Sequence, residues 1–115
     1  MRVHVINPNT TRSMTLKIGA AAKAAASPGV EVAAVNPDFG PASIEGYFDE
    51  AFSVPGLIDE IGKARGADAF IIACFDDTGL EAARRRRGGV PHGEPDRCEI
   101  QRRDDAVPLD RSDRA

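Results

Sequence analysis

Tryptophan is absent from this 115-residue chain, tyrosine occurs once, and aromatic residues make up only 5%. Any core must therefore be built from aliphatic and small side chains, and the 42% hydrophobic content is enough for one of single-domain size. No apolar run approaches the ~20 residues of a membrane-spanning helix. The opening "MRVHVINPN" has too short an apolar stretch for a signal peptide and leads directly into a turn. Cysteine is scarce: Cys74 and Cys98 form no CxxC pair and no Cys/His cluster. A zinc site and a disulfide scaffold are thereby disfavoured, and a reduced, cytoplasmic protein is expected. A net charge of −3 and a pI near 5.3 give no general pull towards nucleic acid or anionic membrane. His4 and His92 stand alone in the sequence and are expected to be surface or locally satisfied side chains.

What is present divides into two unlike parts. The first 80 or so residues alternate strand and helix signals. "RVHVIN" is a short β-rich run closed by the turn at Pro8. In the following "TTRSMTLKIGAAAKAAA", Met14, Ile18, Ala21, Ala22 and Ala25 fall at helical spacing, with Thr10 or Thr11 as N-cap and Ser27-Pro28-Gly29 as the stop. "VEVAAV" reads as a second strand. "NPDFGPASIEG" is a loop by its Gly, Pro and Asn content. "YFDEAFSVPGLIDEIGKARG" is helical, with Leu57, Ile58, Ile61 and Ala64 on one face, Pro55 splitting it or starting a second segment, and Gly66 ending it. "ADAFIIAC" is a third strand, apolar enough to be buried on both faces. The order strand, helix, strand, helix, strand predicts an α/β fold: a three-layer lobe with a parallel sheet and crossover helices.

From Arg84 the character changes. The last 32 residues hold nine arginines and no lysine, whereas the preceding 83 hold three of each. Apolar residues there are few and follow no period, so 84–115 is expected to be a disordered, arginine-rich tail and 1–83 the folded lobe.

In an open parallel sheet, ligands bind beyond the carboxyl ends of the strands. Three loops reach that rim: "NPNTT", "NPDFGPASIEG" and "CFDDTG". Thr78-Gly79-Leu80-Glu81 fits a capping box, which would place Cys74 just ahead of a helix N-terminus. Free amides and the helix dipole there favour a thiolate, while the charges of Asp76 and Asp77 oppose it. On the residues alone two readings stand: Cys74 is a buried structural cysteine or an activated thiol. Asn7, Asn9, Thr10, Thr11 and Ser43 likewise read as turn formers and caps or as pocket residues.

Taken in order, "VINPNTT", "FGPASIEGYFDEA", "VPGLIDEI" and "GADAFIIACFDDTGL" resemble the N-terminal half of the Asp/Glu/hydantoin racemase family, in its hydantoin and allantoin racemase branch. The resemblance covers about residues 1 to 83 and implies a flavodoxin-like half of a two-lobed enzyme. Each lobe would offer one cysteine to opposite faces of a carbon next to a carbonyl, with no cofactor and no metal. It implies that Cys74 is the catalytic cysteine of the first lobe and that Asn9, Thr10 and Ser43 line a pocket for a small substrate, with Phe75, Asp76 and Asp77 beside the thiol. Thr78 stands where many relatives have proline. The resemblance also implies a hydantoin, allantoin or amino-acid-like substrate and homo-oligomeric full-length relatives. A related decarboxylase or maleate isomerase is the alternative within the family; a non-catalytic small α/β ligand-binding or interaction module is the alternative outside it.

Stereoinversion requires an acid on the second face, and Cys98 in "DRCEIQ" has no context resembling a second catalytic cysteine. Codons compatible with Arg86 to Arg114, shifted by one nucleotide, permit "GEAAFHMASLIAAKFSVVTTLSRSIGPT", a string similar to the family's continuation. The expectation is a frameshift near Arg84, and a truncated chain that is inactive by itself.

Overall fold

The computed structural model describes residues 1–88 and 99–102. Strand β1 (Arg2–Ile6) leads into helix α1 (Arg12–Ala25), strand β2 (Glu31–Val35), helix α2 (Tyr47–Lys63), strand β3 (Ala69–Ile72), helix α3 (Leu80–Gly88) and strand β4 (Glu99–Arg102). All pairings are parallel and the strand order is β2-β1-β3-β4. The register sets Val5 opposite Ala34 and Ile71, and Ile6 opposite Val35 and Ile72.

Alternation along the strands gives the two faces different partners. Ile6, Phe70 and Ile72 point to one side and pack with Leu57, Ile61 and Ala64 from α2 and its end, and with Leu80 and Ala83 from α3. Val5 and Ala34 share the other side, where α1 lies so close that a Cβ on Gly19 would come within 2.8 Å of the Ala34 Cβ. Helices thus cover both faces, the three-layer α/β lobe that the strand and helix order predicts.

Several local expectations are corrected. The buried stripe of α1 is Thr15 and Gly19, while Met14 and Leu16 are 47% and 59% exposed. Small residues at the contact let α1 approach β2 closely, Ile18 is half-buried beside them, and Met14 and Leu16 are left outside. Pro55 neither splits nor starts a helix: α2 runs unbroken from Tyr47 to Lys63. Pro55 is exposed, as is Ala51, whose carbonyl would have met the missing N–H, so the orphaned oxygen can bond water. β3 is fully buried only through Phe70 and Ile72; Ala69 and Ile71 on its other face are partly open. His4 is not locally satisfied. Its Nδ1 is buried without a hydrogen-bond partner, and its ring tilts against Phe70 at 5.9 Å.

Helix α3 runs across the expected boundary at 83/84 to Gly88, and 99–102 pair with β3 as β4. The Glu81–Arg84 pair, at 3.2 Å and one turn apart, gives α3 a local contact across the start of the arginine run. The remainder of the expected tail, and His92 and Cys98 with it, lies outside the described residues.

Candidate functional site

A strand order of 2-1-3-4 has its topological switch point between β1 and β3, because the chain leaves those neighbours towards opposite faces; the crevice beyond their carboxyl ends is where such sheets take ligands. The two segments that leave the sheet there are Asn7-Pro8-Asn9 and Ala73-Cys74-Phe75. They are tied at the root, since the Ala73 amide donates to the Ile6 carbonyl at 2.8 Å.

The β1 side of the rim is a buried polar network. Asn7 and Asn9 are 2% and 7% exposed. The Asn7 amide nitrogen donates to Asn9 Oδ1 at 2.8 Å and to Thr15 Oγ1 at 3.1 Å. Thr15 Oγ1 in turn donates to Asn36 Oδ1 at 2.7 Å. Asn9 Oδ1 also accepts from the Thr11 amide at 2.9 Å, the turn that asparagine makes with its own backbone two residues on. Thr11 is the N-cap of α1 by position, but its hydroxyl bonds away from the helix, to the Ala42 carbonyl at 2.6 Å. The Thr10 amide donates to the Pro41 carbonyl at 3.0 Å. The loops after β1 and β2 are thereby joined, and Ser43, which is exposed, follows directly on that junction.

Cys74 stands on the β3 side, half-buried, with Sγ 3.2 Å from the Thr78 hydroxyl. Thr78 is 4% exposed. The capping box is corrected here: α3 starts at Leu80, Gly79 takes the cap position with its carbonyl accepting from the Ala83 amide at 2.8 Å, and Thr78 faces the cysteine. Asp77 adopts φ 54° and Gly79 φ 73°, and these two left-handed residues turn the chain so that Thr78 points back at Cys74. Phe75 is 80% exposed and Asp76 is also exposed. Opposite them the first turns of α2 carry Glu50, whose carboxyl is raised above the usual carboxylate range by partial burial and then by the charge of Asp76 and a hydrogen bond to it. Among the described residues no group of three His, Cys, Asp or Glu side chains is placed to hold a metal ion. No described helix is long and apolar enough to cross a membrane.

Of the residues singled out from the sequence, Thr10 meets the loop that carries Ser43, Asn9 lies in the network of its own loop, and Cys74, Phe75, Asp76 and Asp77 occupy the neighbouring strand end. The sequence reading missed Thr15 and Asn36, which complete the network under the first loop, and Glu50, which faces Asp76 from α2. Thr15 lies off the apolar stripe of α1, and a threonine at the start of a helix reads as a cap, so nothing local marked it.

A doubly wound half-sheet with a thiol and an amide-rich loop at its switch point defines an α/β lobe of the open parallel-sheet class. Residues 3–92 match the family described as Asp/Glu/Hydantoin racemase, and the chain belongs to that family. It is 56% identical over 86 residues to the hydantoin racemase of Pseudomonas sp. (strain NS671) and 54% identical to that of Rhizobium meliloti, each match covering 73% of this chain and 34% and 36% of the relative. Among solved structures, the allantoin racemase from Klebsiella pneumoniae superposes with a TM-score of 0.70 at 53% identity, covering 73% of this chain and 35% of the other. The allantoin racemase from Pseudomonas fluorescens gives 0.69 at 37% identity, covering 72% and 36%. The chain therefore spans about a third of the length of the relatives it matches.

Proposed function

We propose that this chain is the first lobe of a cofactor-independent racemase acting on a hydantoin, allantoin or similar carbon acid, with Cys74 as one of two proton-transferring thiols. The observation that supports this most is the place of Cys74: the β3 end of the switch-point crevice, next to the strand end that carries the Asn7–Asn9 network. A carbon next to a carbonyl gives up its proton slowly. A thiolate held in contact with it takes the proton and becomes a thiol, and the electron pair moves onto the carbonyl oxygen. Positioning and general-base action each lower that barrier. Asn9, Thr10 and Ser43 bind the substrate's polar edge, and Phe75, Asp76 and Asp77 border it on the thiol side.

Inversion needs a second acid on the opposite face of the carbon. In this reading the second acid belongs to a second lobe, which closes over Tyr47, Phe48 and Phe75, 79–90% exposed along the same rim. The arginine-rich segment after Arg84 is the product of a frameshift, and the 115-residue chain does not racemise alone. Similarity to the hydantoin racemases, which covers 86 or 87 residues and then stops, supports this.

The test uses three proteins: this chain, a chain with the shifted frame restored and continued to the relatives' length, and that longer chain with Cys74→Ser. Loss of optical rotation is followed on a panel of 5-substituted hydantoins and allantoin. Racemisation is expected only in the longer protein, with a drop of ~10²–10⁴-fold or more on removal of the thiol base. Full activity in the 115-residue chain would overturn the two-lobe account, and an active Cys74→Ser protein the role of the thiol.

A further inference from the structure

We propose that Thr78 is a positioning residue for Cys74, its hydroxyl donating a hydrogen bond to the thiolate. The proposal rests on the reading of Cys74 as a proton-transfer group and adds to it a partner that holds the sulfur. The geometry carries it. Sγ and Oγ1 lie 3.2 Å apart, and Thr78 is 4% exposed, so its side chain is packed in place and water has little access to displace it. A thiolate has no proton to give, so in that state the donor must be Thr78.

The loop is built to keep the two residues facing each other. Asp77 and Gly79, on either side of Thr78, are both left-handed. The Leu80 amide closes a turn onto the Asp77 carbonyl at 3.0 Å. Gly79 lies against Leu57 and Val54 of α2, so the turn is seated on the core. Asp76 and Asp77 lie in the same loop, and Glu50 on α2 hydrogen-bonds to Asp76. A hydrogen bond donated to a thiolate favours the charged form. After the sulfur takes a proton, the thiol can donate to Thr78 Oγ1 at the same separation, since either atom of the pair can be the donor. The pair thus accommodates both protonation states with no movement of heavy atoms. Thr78 keeps its own proton throughout.

The alternative is that Thr78 only fills space between β3 and α3. Val matches the shape of Thr without the hydroxyl, Ala removes both, and Ser keeps the hydroxyl. The 115-residue chain and its Thr78→Val, Thr78→Ala and Thr78→Ser variants are alkylated with iodoacetamide across a pH series. Labelling is read by mass spectrometry, with Cys98 of the same chain as internal control. In Val and Ala the midpoint of the Cys74 profile is expected to move to higher pH and labelling near pH 7 to slow about tenfold, the size of one hydrogen bond to a charged group. Ser keeps the parent profile, and Cys98 is unchanged in all four. A hydroxyl-free variant that is folded by circular dichroism and keeps the parent Cys74 profile overturns the proposal. So does a Ser variant that behaves like Val. The profile does not depend on turnover: a Thr78 effect together with an active Cys74→Ser two-lobed protein would refute the racemase role of Cys74 and leave the Thr78–Cys74 contact standing.

Discussion

The side-chain amide of Asn7 donates to the Thr15 hydroxyl at 3.1 Å, and both residues are buried. This bond ties the end of β1 to the first turns of α1, and through Asn36 to the end of β2. The loop after β1 is held here by side chains beneath it.

Thr15→Val keeps the shape of the side chain and removes one of the partners of the Asn7 amide and the donor to the Asn36 side-chain oxygen. Leaving buried partners unsatisfied costs about 1–3 kcal/mol. The urea midpoint should fall accordingly. Asn7→Ala should fall by a similar amount, and the double variant by less than the sum, because both single changes break the same bond. Additive losses would mean that the two side chains act independently.

His4 gives the chain a pH-dependent stability. Burial, and secondarily the charge of Arg2, lowers its pKa below the ordinary 6.5. The unfolded chain therefore binds the imidazole proton more readily than the folded one. The stability contributed by neutral His4 is present above about pH 6.5 and is lost as pH falls through the lowered folded value. Glu50 and Glu60, both raised, act in the opposite sense at lower pH, since protonation relieves their burial. The difference between the parent and His4→Leu isolates the histidine. Urea midpoints of the parent should drop relative to His4→Leu between pH 6.5 and 5, and a constant difference across that window would show that His4 binds its proton equally in the folded and unfolded states.

Gly79→Ala should destabilise by about 1–3 kcal/mol, the usual cost of forcing extra volume into a packed site. The added Cβ would come within 2.5 Å of Leu57 Cδ2, on a residue whose φ of 73° favours glycine. The same change should slow alkylation of Cys74 near pH 7, because the turn carrying Thr78 would be pushed off α2 and its hydroxyl away from the sulfur. Stability equal to the parent by thermal unfolding would show that Leu57 can move aside at little cost.

The layers of the fold were legible because β1, β2 and β3 are short β-rich runs spaced by helix-length segments, and hydrophobic period carries that information. The face of α1 was not. Its contact is made by Thr15 and Gly19, and a stripe of small residues leaves no apolar signal, whereas Met14, Ala21 and Ala25 supply a signal for a surface that stays open. Pro55 misled for a related reason: a proline on the solvent side of a helix loses one bond that water replaces, and sequence does not say which side it faces. At the site, Cys74 and the NPNTT loop stood out by position next to strand ends. The Thr78 hydroxyl was assigned to the helix cap because T-x-x-E is a local pattern, but the left-handed turn at Asp77 and Gly79 aims it at the sulfur, and that turn is set by packing on Leu57.

Tyr47 reports on the last step of the proposal. It is the only tyrosine, the chain has no tryptophan, and the side chain is 90% exposed at the first turn of α2. Phe48, 79% exposed, lies beside it and stacks with Phe52 at 6.0 Å. Soluble domains seldom expose several large apolar rings side by side unless the surface is covered by something else. If a second lobe closes over this rim, tyrosine emission in the 115-residue chain should be quenched by acrylamide almost as readily as that of a free tyrosine derivative. In a Trp-free longer protein with Tyr47 as its only tyrosine, the quenching constant should fall several-fold. Phe48→Ser with Phe52→Ser should then reduce dye binding and self-association of the short chain with little change in its urea midpoint, because neither ring belongs to the core. Equal quenching of Tyr47 in the short and long proteins would place the lobe interface elsewhere and leave the aromatic rim without a partner in the enzyme.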